Sequence, residues 1–138
     1  MATLAVYYAQ GHGDAPVTIS TPDEVDALID RVRRESPGHA PMLLEAHIAG
    51  DPYAQGLDVG VRGDRGVLRY SGRDWPEGVY STGDGPSEGE PLVYYFMDNY
   101  TEFPPNAEVP LAVVRQAIRD FLATGGERSA RVEWQPGE

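Results

Sequence analysis

The sequence contains no cysteine and no lysine. Without cysteine the chain can form no disulfide, thiolate nucleophile, iron–sulfur cluster or ordinary structural zinc site. No apolar run approaches the roughly 18 residues of a membrane helix, and the first residues lack the basic start and long apolar stretch of a signal peptide. We therefore expect a cytoplasmic protein with no membrane partner, whose fold depends on its hydrophobic core.

Basic residues are also scarce, and their distribution is uneven. The chain has 22 acidic and 11 basic residues, all of the latter arginine, which gives a net charge of −11. The segment from Asp74 to Glu108 contains eight acidic residues and no arginine. Nucleic acids select clustered lysine and arginine, so we expect no nucleic acid as a direct partner.

The length and an apolar fraction of 41% indicate one globular domain over residues 1–138. Two segments have helical periodicity. The first helix is predicted to begin after Thr21, because Glu24 completes a capping-box pattern, and to end at Ser36. The second is predicted to begin near Pro110 and to stop at Gly125. Each has a narrow apolar stripe, which is typical of a helix that covers one face of a sheet rather than one at the centre of a helical bundle.

Alternating apolar and polar residues predict strands in most of the remaining chain. The predicted strands are roughly 3–8, 17–20, 42–48, 57–62, 67–70, 79–82, 92–97 and 130–135. Their spacing favours antiparallel pairing. The predicted fold class is therefore α+β: a mainly antiparallel curved β-sheet of about seven or eight strands with two packed α-helices.

Three local features of this sheet can be predicted. The strands 57–62 and 67–70 are expected to form a hairpin, because a turn sequence separates them. The strand 92–97 is apolar on both alternations, which is typical of a central strand covered on both faces. The segments 71–78 and 83–90 are rich in glycine, proline and acids, and we expect loops there.

Catalytic motifs are weak in this sequence. Residues 85–89 match G-x-S-x-G, but no helix follows, so a nucleophile elbow is not expected. The histidines, which lack metal-ligand spacing, are His12, His39 and His47. Asp26 and Asp30 are neighbours on the first helix, and we interpret them as a solvated face. We expect no catalytic residue, no metal and no cofactor.

The acid-rich segment also contains aromatic residues, and tryptophan and tyrosine are over-represented at protein interfaces. Partner contact and local packing are both open for Trp75 and Tyr100, whereas Trp134 is expected in the core. The predicted partner-binding residues are Asp74, Trp75, Glu77, Asp84, Glu88, Glu90, Asp98, Tyr100 and Glu102.

The last third of the chain has a distinctive pattern, namely EFPPNAEVP at 102–110, VVRQAIRDFL at 113–122, TGGER at 124–128 and VEW at 132–134. Together with 21–29, 59–70 and 94–97, it resembles the Imm1 family of immunity proteins of bacterial polymorphic toxin systems. Asp98 stands where this family pattern has Gly, and Ser129 where it often has Pro. The resemblance implies a non-enzymatic antitoxin whose partner is a toxin with a nucleic-acid deaminase or nuclease domain. It implies no catalytic or contact residue.

The charge and the resemblance favour one hypothesis. A toxin that acts on nucleic acid needs a basic groove, and the acidic segment would cover that groove. The toxin class expected first is a nucleic-acid cytidine deaminase. Two alternatives stay open: a non-inhibitory chaperone or adaptor for a secreted effector, and a small carboxylate-dependent enzyme. The sequence carries no signal for the oligomeric state.

Overall fold

The computed structural model describes residues 3–8, 16–36, 40–72, 75–86, 88–96 and 99–136, with the backbone alone for 51–54. Its helices are α1 (Pro22–Glu35) and α2 (Leu111–Thr124). Its strands are β1 (Leu4–Tyr7), β2 (Val17–Ile19), β3 (Met42–Ile48), β4 (Asp51–Arg62), β5 (Arg65–Gly72), β6 (Trp75–Ser81), β7 (Leu92–Phe96), β8 (Asn99–Phe103), β9 (Val109–Pro110) and β10 (Trp134–Pro136).

Both predicted helices are present, and their ends follow from local chemistry. The hydroxyl oxygen of Thr21 accepts the Glu24 backbone N–H at 3.2 Å, and the Glu24 carboxylate accepts the Ser20 N–H at 3.0 Å. These bonds satisfy donors that the first turn of α1 leaves free. The helix α2 ends at Gly125, whose φ of 73° lies in the left-handed region that glycine adopts readily.

The main sheet has the strand order β10-β6-β5-β4-β3-β1-β2, and neighbouring strands along it are antiparallel. Strands β4 and β5 form the predicted hairpin, with Arg62 opposite Arg65 across a two-residue turn. The helices cover one face, because the buried residues of α1 and α2 join those of the sheet in one cluster. The prediction of an α+β fold with a mainly antiparallel sheet and two helices is confirmed.

The opposite face of the sheet is covered at one end by a hairpin of β7 and β8. Tyr94 and Phe103 from this β7–β8 hairpin pack against Leu43 and Val67 of the main sheet in a second buried cluster. Gly60 makes this approach possible. A Cβ atom there would lie 2.5 Å from the Tyr94 ring, so this position of β4 has no room for a side chain.

Several sequence predictions need correction. The sheet has ten strands, because β8 and β9 were not predicted. Strand β6 begins at Trp75 inside a predicted loop, and the last strand begins at Trp134. The prediction that 92–97 is a central strand covered on both faces is wrong. Strand β7 meets β3 at one position and otherwise pairs with β8, and only Tyr94 is buried.

The doubly apolar pattern of β7 has a different physical cause. Its inward residues pack on the main sheet, while its outward residues include a tyrosine that remains partly exposed. Apolar residues on both alternations therefore mark a strand with one buried face and one aromatic surface face. Within the described ranges, no helix is long and apolar enough to span a membrane.

Candidate partner-binding surface

The exposed acids of the predicted site lie in the segment from β6 to β8. They are Glu77 of β6, Asp84, Glu88 and Glu90 of the following loop, and Glu102 of β8. We call these five residues the acidic end. The loop is tied to the segment after β8, because the Gly83 N–H donates to the Asn106 carbonyl at 2.6 Å. Asp74 and Asp98 lie outside the described residues, as do His12 and His39.

Glu108 belongs to the same acidic segment of the sequence, but the fold uses it differently. Its side chain is 17% exposed and accepts Arg62 at 2.9 Å and Arg65 at 2.8 Å. These two arginines neutralise Glu108 within the protein. It is therefore not part of the acidic end, although sequence proximity placed it in the same run of charge.

Most other described arginines are also paired with carboxylates that do not belong to the acidic end. The pairs are Arg33–Asp64, Arg69–Asp58, Arg115–Asp26, Arg115–Asp30, Arg119–Asp26 and Arg131–Asp120. No member of the acidic end forms a salt bridge with another described residue. The negative charge of this region is therefore left uncompensated within the part of the chain that the structure describes.

The helix carboxylates correct another prediction. Asp26 and Asp30 do not form a merely solvated face, because Arg115 of α2 binds both of them and Arg119 also binds Asp26. The hydrogen bond from Arg115 lowers the pKa of Asp30. These residues join the two helices, which the spacing within α1 alone could not indicate.

Tyr100 is the most exposed aromatic feature of this surface. Its side chain is 58% exposed, and no other large hydrophobic residue of the described ranges is classed as exposed. Its hydroxyl donates to the Glu102 carboxylate at 2.8 Å, which raises the pKa of the tyrosine. Its ring meets Tyr95 edge-on at 6.3 Å. With Val93, these three residues form the outward side of the β7–β8 hairpin, which we call the hairpin face.

Trp75, in contrast, is held by local packing. Its ring contacts Tyr70 edge-on at 6.0 Å, and the guanidinium of Arg128 lies 4.2 Å above it. Trp75 and Trp134 both pack partly against the main core. They line a groove of about 390 Å³, and Glu77 lies in the same lining. A partner that contacts Trp75 would enter this groove.

A second groove of about 340 Å³ lies on the other side of β10. Its walls include Tyr80, Phe103 and Pro105, and Glu102 stands at its rim. Gln135 lines both grooves, and its amide donates to the Asn106 side chain at 2.8 Å. Both grooves thus adjoin members of the acidic end.

A polar row on the open sheet face was missed by the sequence analysis. Glu45, Asp58, Arg69 and Tyr80 are directly opposite one another on β3, β4, β5 and β6. Burial and the charge of Glu45 raise the pKa of Asp58 to about 6, against the opposing effect of Arg69 at 3.5 Å. The polar alternation of Glu45 and Asp58 was visible in the sequence, but their pairing was not.

His47 belongs to the same open face. The Glu45 carboxylate, 3.7 Å from the His47 Nε2, is the main reason that the pKa of His47 is raised. Its ring meets Tyr7 edge-on at 6.1 Å. Among the residues that the structure describes, no group of three histidine or acidic side chains is arranged to hold a metal ion.

Comparison with known proteins identifies the family. Residues 13–136 match the model of a family described as immunity protein Imm1. No curated protein matches the chain. Because the family match covers nearly the whole sequence, the chain belongs to the Imm1 family and is an immunity protein, which binds a cognate toxin. The family resemblance found in the sequence is confirmed.

Proposed function

We propose that this member of the Imm1 family neutralises its toxin by covering the toxin's basic substrate groove with the acidic end. The toxin class that fits is an enzyme acting on nucleic acid, with a cytidine deaminase as the first choice and a nuclease as the second. In this proposal the immunity protein acts in the cytoplasm by binding alone and performs no catalysis. The carboxylates take the place that substrate phosphates occupy.

The separation of charge within the fold carries this proposal. Asp26, Asp30, Asp58 and Glu108 have arginine partners in the fold, whereas the acidic end has none among the described residues. A groove that binds a phosphate backbone is lined by basic residues. Complementary charge of this kind raises association rates by roughly 10–10³-fold and its effect weakens with salt.

The hairpin face supplies the second requirement of a tight complex. Charge at an interface mainly sets the rate of association, while buried aromatic anchors slow dissociation. Tyr100 is exposed beside Glu102 and is the residue best placed to be such an anchor. A standard interface covers about 800 Å² on each partner, and the total accessible surface of 7411 Å² accommodates an interface of that size.

A matched pair of charge reversals tests the docking surface. The double variant Glu88→Lys with Glu102→Lys should associate with the purified toxin domain encoded beside this gene at least about tenfold more slowly. Its rate should also depend less on salt. The control is Asp23→Lys with Glu35→Lys, which makes the same change of net charge on exposed positions of α1. Equal rates and equal salt slopes for the two double variants would contradict the proposal.

A second measurement separates inhibition from adaptor binding. Toxin activity on its nucleic-acid substrate should fall in proportion to the immunity protein added and should vanish at saturation. An unchanged activity in a fully formed complex would favour the non-inhibitory adaptor. Activity of the immunity protein itself, in the absence of toxin, would favour the carboxylate-dependent enzyme.

A further inference from the structure

The outer edge of the β7–β8 hairpin is open within the described part of the chain. There β8 pairs with β7 alone, in register from Leu92–Phe103 to Phe96–Asn99. A sheet edge presents backbone N–H and C=O groups that can pair with another chain. The side of β8 away from β7 is therefore a template for a further strand.

The direction of the free backbone groups follows from one hydrogen bond. The Tyr95 N–H donates to the Pro41 carbonyl at 2.8 Å and so points away from β8. Tyr95 and its partner Tyr100 are therefore a non-hydrogen-bonded pair, and alternation makes Val93 and Glu102 another. The backbone N–H and C=O groups of Tyr100 and Glu102 consequently point to the open edge. These two N–H and two C=O groups have the spacing that backbone hydrogen bonds to a neighbouring antiparallel strand require.

The other edge strands of the described sheet are less suitable for pairing. Strands β2 and β10 have three residues each, β9 has two, and β9 and β10 each end in a proline. Short strands, proline and charged side chains are devices by which proteins block pairing at an edge. Strand β8 has five residues and no proline, and its one charged side chain is that of Glu102. Of these edge strands β8 is the longest, and a basic residue on a partner can neutralise its charge.

The side chains at this edge define the chemistry of an added strand. Tyr100 and Glu102 are exposed, and Glu102 has no basic partner in the described ranges. The strand ends beside the groove lined by Phe103 and Pro105. An incoming strand with a basic residue next to Glu102 would neutralise that carboxylate and place a neighbouring side chain at the groove.

We propose that an extended segment of the cognate toxin, carrying arginine or lysine next to Glu102, adds to the sheet as a strand along β8. This inference rests on the proposed function, since it names the segment of the interface that forms main-chain hydrogen bonds. Strand addition obtains affinity from the backbone and specificity from alternate side chains.

Amide hydrogen exchange by NMR tests the proposal on the unmodified protein. In the free protein the Tyr100 and Glu102 amides should exchange much faster than that of Thr101, which faces β7. In the complex with the toxin domain both should slow by at least about 100-fold, because each becomes hydrogen-bonded. A complex of full affinity in which both amides still exchange freely would overturn strand addition and leave the proposed function intact. Absence of any toxin binding would overturn both.

Paired substitutions provide a second test. Glu102→Pro and Glu102→Ala both remove the carboxylate, but only proline removes the outward N–H. The proline variant should bind the toxin domain about three- to tenfold more weakly than the alanine variant, the effect of one net hydrogen bond. Tyr100→Pro and Tyr100→Ala form the same comparison. Native amide spectra establish folding, since the two outward N–H groups support no bond between β7 and β8.

Two outcomes of these substitutions would overturn the inference. The first is equal affinity of the proline and alanine variants at both positions. The second is a dimer of the free protein in which the Tyr100 and Glu102 amides are already protected. In that case a second copy of this chain, rather than the toxin, would occupy β8. Sedimentation of the free protein across concentrations detects such a dimer.

Discussion

On the side of the sheet covered by the helices, charged residues connect elements of the fold. Arg115 of α2, for example, binds both Asp26 and Asp30 of α1. On the opposite face, Glu45 stands next to Asp58, and Glu102 beside Tyr100 has no basic partner among the described residues. Between the helices, the carboxylates of Asp26 and Asp30 are satisfied within the protein. On the hairpin, Glu102 retains a charge that another molecule can satisfy.

This difference separates stability from recognition. A paired arginine contributes to the folded state because its removal leaves carboxylates close together without a counter-ion. An unpaired exposed carboxylate contributes little to folding, since solvent screens it. Substitutions on the two faces should therefore differ in kind: one set changes the unfolding transition, and the other changes affinity for the toxin.

The largest effect is expected at Tyr100. Tyr100→Ala should weaken toxin binding by about 30-fold, because truncated aromatic anchors dominate interface energetics. Its melting temperature should stay near that of the parent protein, since the side chain is largely exposed. Titration calorimetry and thermal unfolding check the two quantities. Tyr95→Phe, which keeps the neighbouring ring, is the control. A large fall in melting temperature with unchanged affinity would show that Tyr100 serves stability rather than toxin binding, which contradicts the prediction.

A smaller effect is expected from the polar row. Because burial and Glu45 raise the pKa of Asp58 to about 6, the folded state binds its proton more tightly than the unfolded chain does. Asp58 therefore costs stability that grows as the pH rises from about 4 to about 6 and remains above that. Asp58→Asn should stabilise the protein at pH 8 by on the order of 1–2 kcal/mol.

The pH dependence distinguishes this cause from others. The stabilisation by Asp58→Asn should shrink as the pH falls towards 4, because the folded protein then holds Asp58 protonated and the unfolded chain begins to bind the same proton. Glu45, His47 and Arg69 are present in both proteins, so the difference between the two stability curves reports Asp58, including its small part in raising the pKa of His47. The raised pKa of His47 adds stability that is lost at higher pH in both proteins. Urea unfolding from pH 4 to 8 measures the difference. A gain independent of pH would contradict the assignment.

The smallest effect is expected between the helices. Arg115→Ala should lower the melting temperature by about 4 °C, because Asp26 and Asp30 lose a shared partner while Arg119 still binds Asp26. Toxin affinity should be unchanged. The matched control is Glu102→Ala, for which the opposite pattern is expected. Thermal unfolding of both variants measures the two melting temperatures. An equal loss of stability in Arg115→Ala and Glu102→Ala would contradict the expected difference between the two regions.

The sequence predicted those parts of the fold that depend on neighbouring residues. The capping box at Thr21, the apolar stripes of the helices and the β4–β5 hairpin all have local signals, and the structure contains them. The family was also recognised from the sequence, because its motifs are contiguous.

Features that depend on distant partners could not be predicted in the same way. Arg62 and Glu108 are 46 residues apart, and Arg115 and Asp30 are 85 apart. No local periodicity reports such pairs. The same limit explains why β7 was assigned to the centre of the sheet. Its composition shows apolar residues on both sides of the strand, but not which side is covered. The site residues themselves remain a prediction that the binding experiments decide.

The contact of the Tyr94 ring with Gly60 has a consequence for genetics. The orientation of the hairpin face depends on a position of β4 where no side chain is present. A methyl group added there would push the hairpin outward and displace Tyr100 without altering any residue of the surface. A screen for alleles that fail to protect cells should therefore recover substitutions at this buried glycine beside those at exposed residues. Such alleles would be suppressed by smaller residues in place of Tyr94.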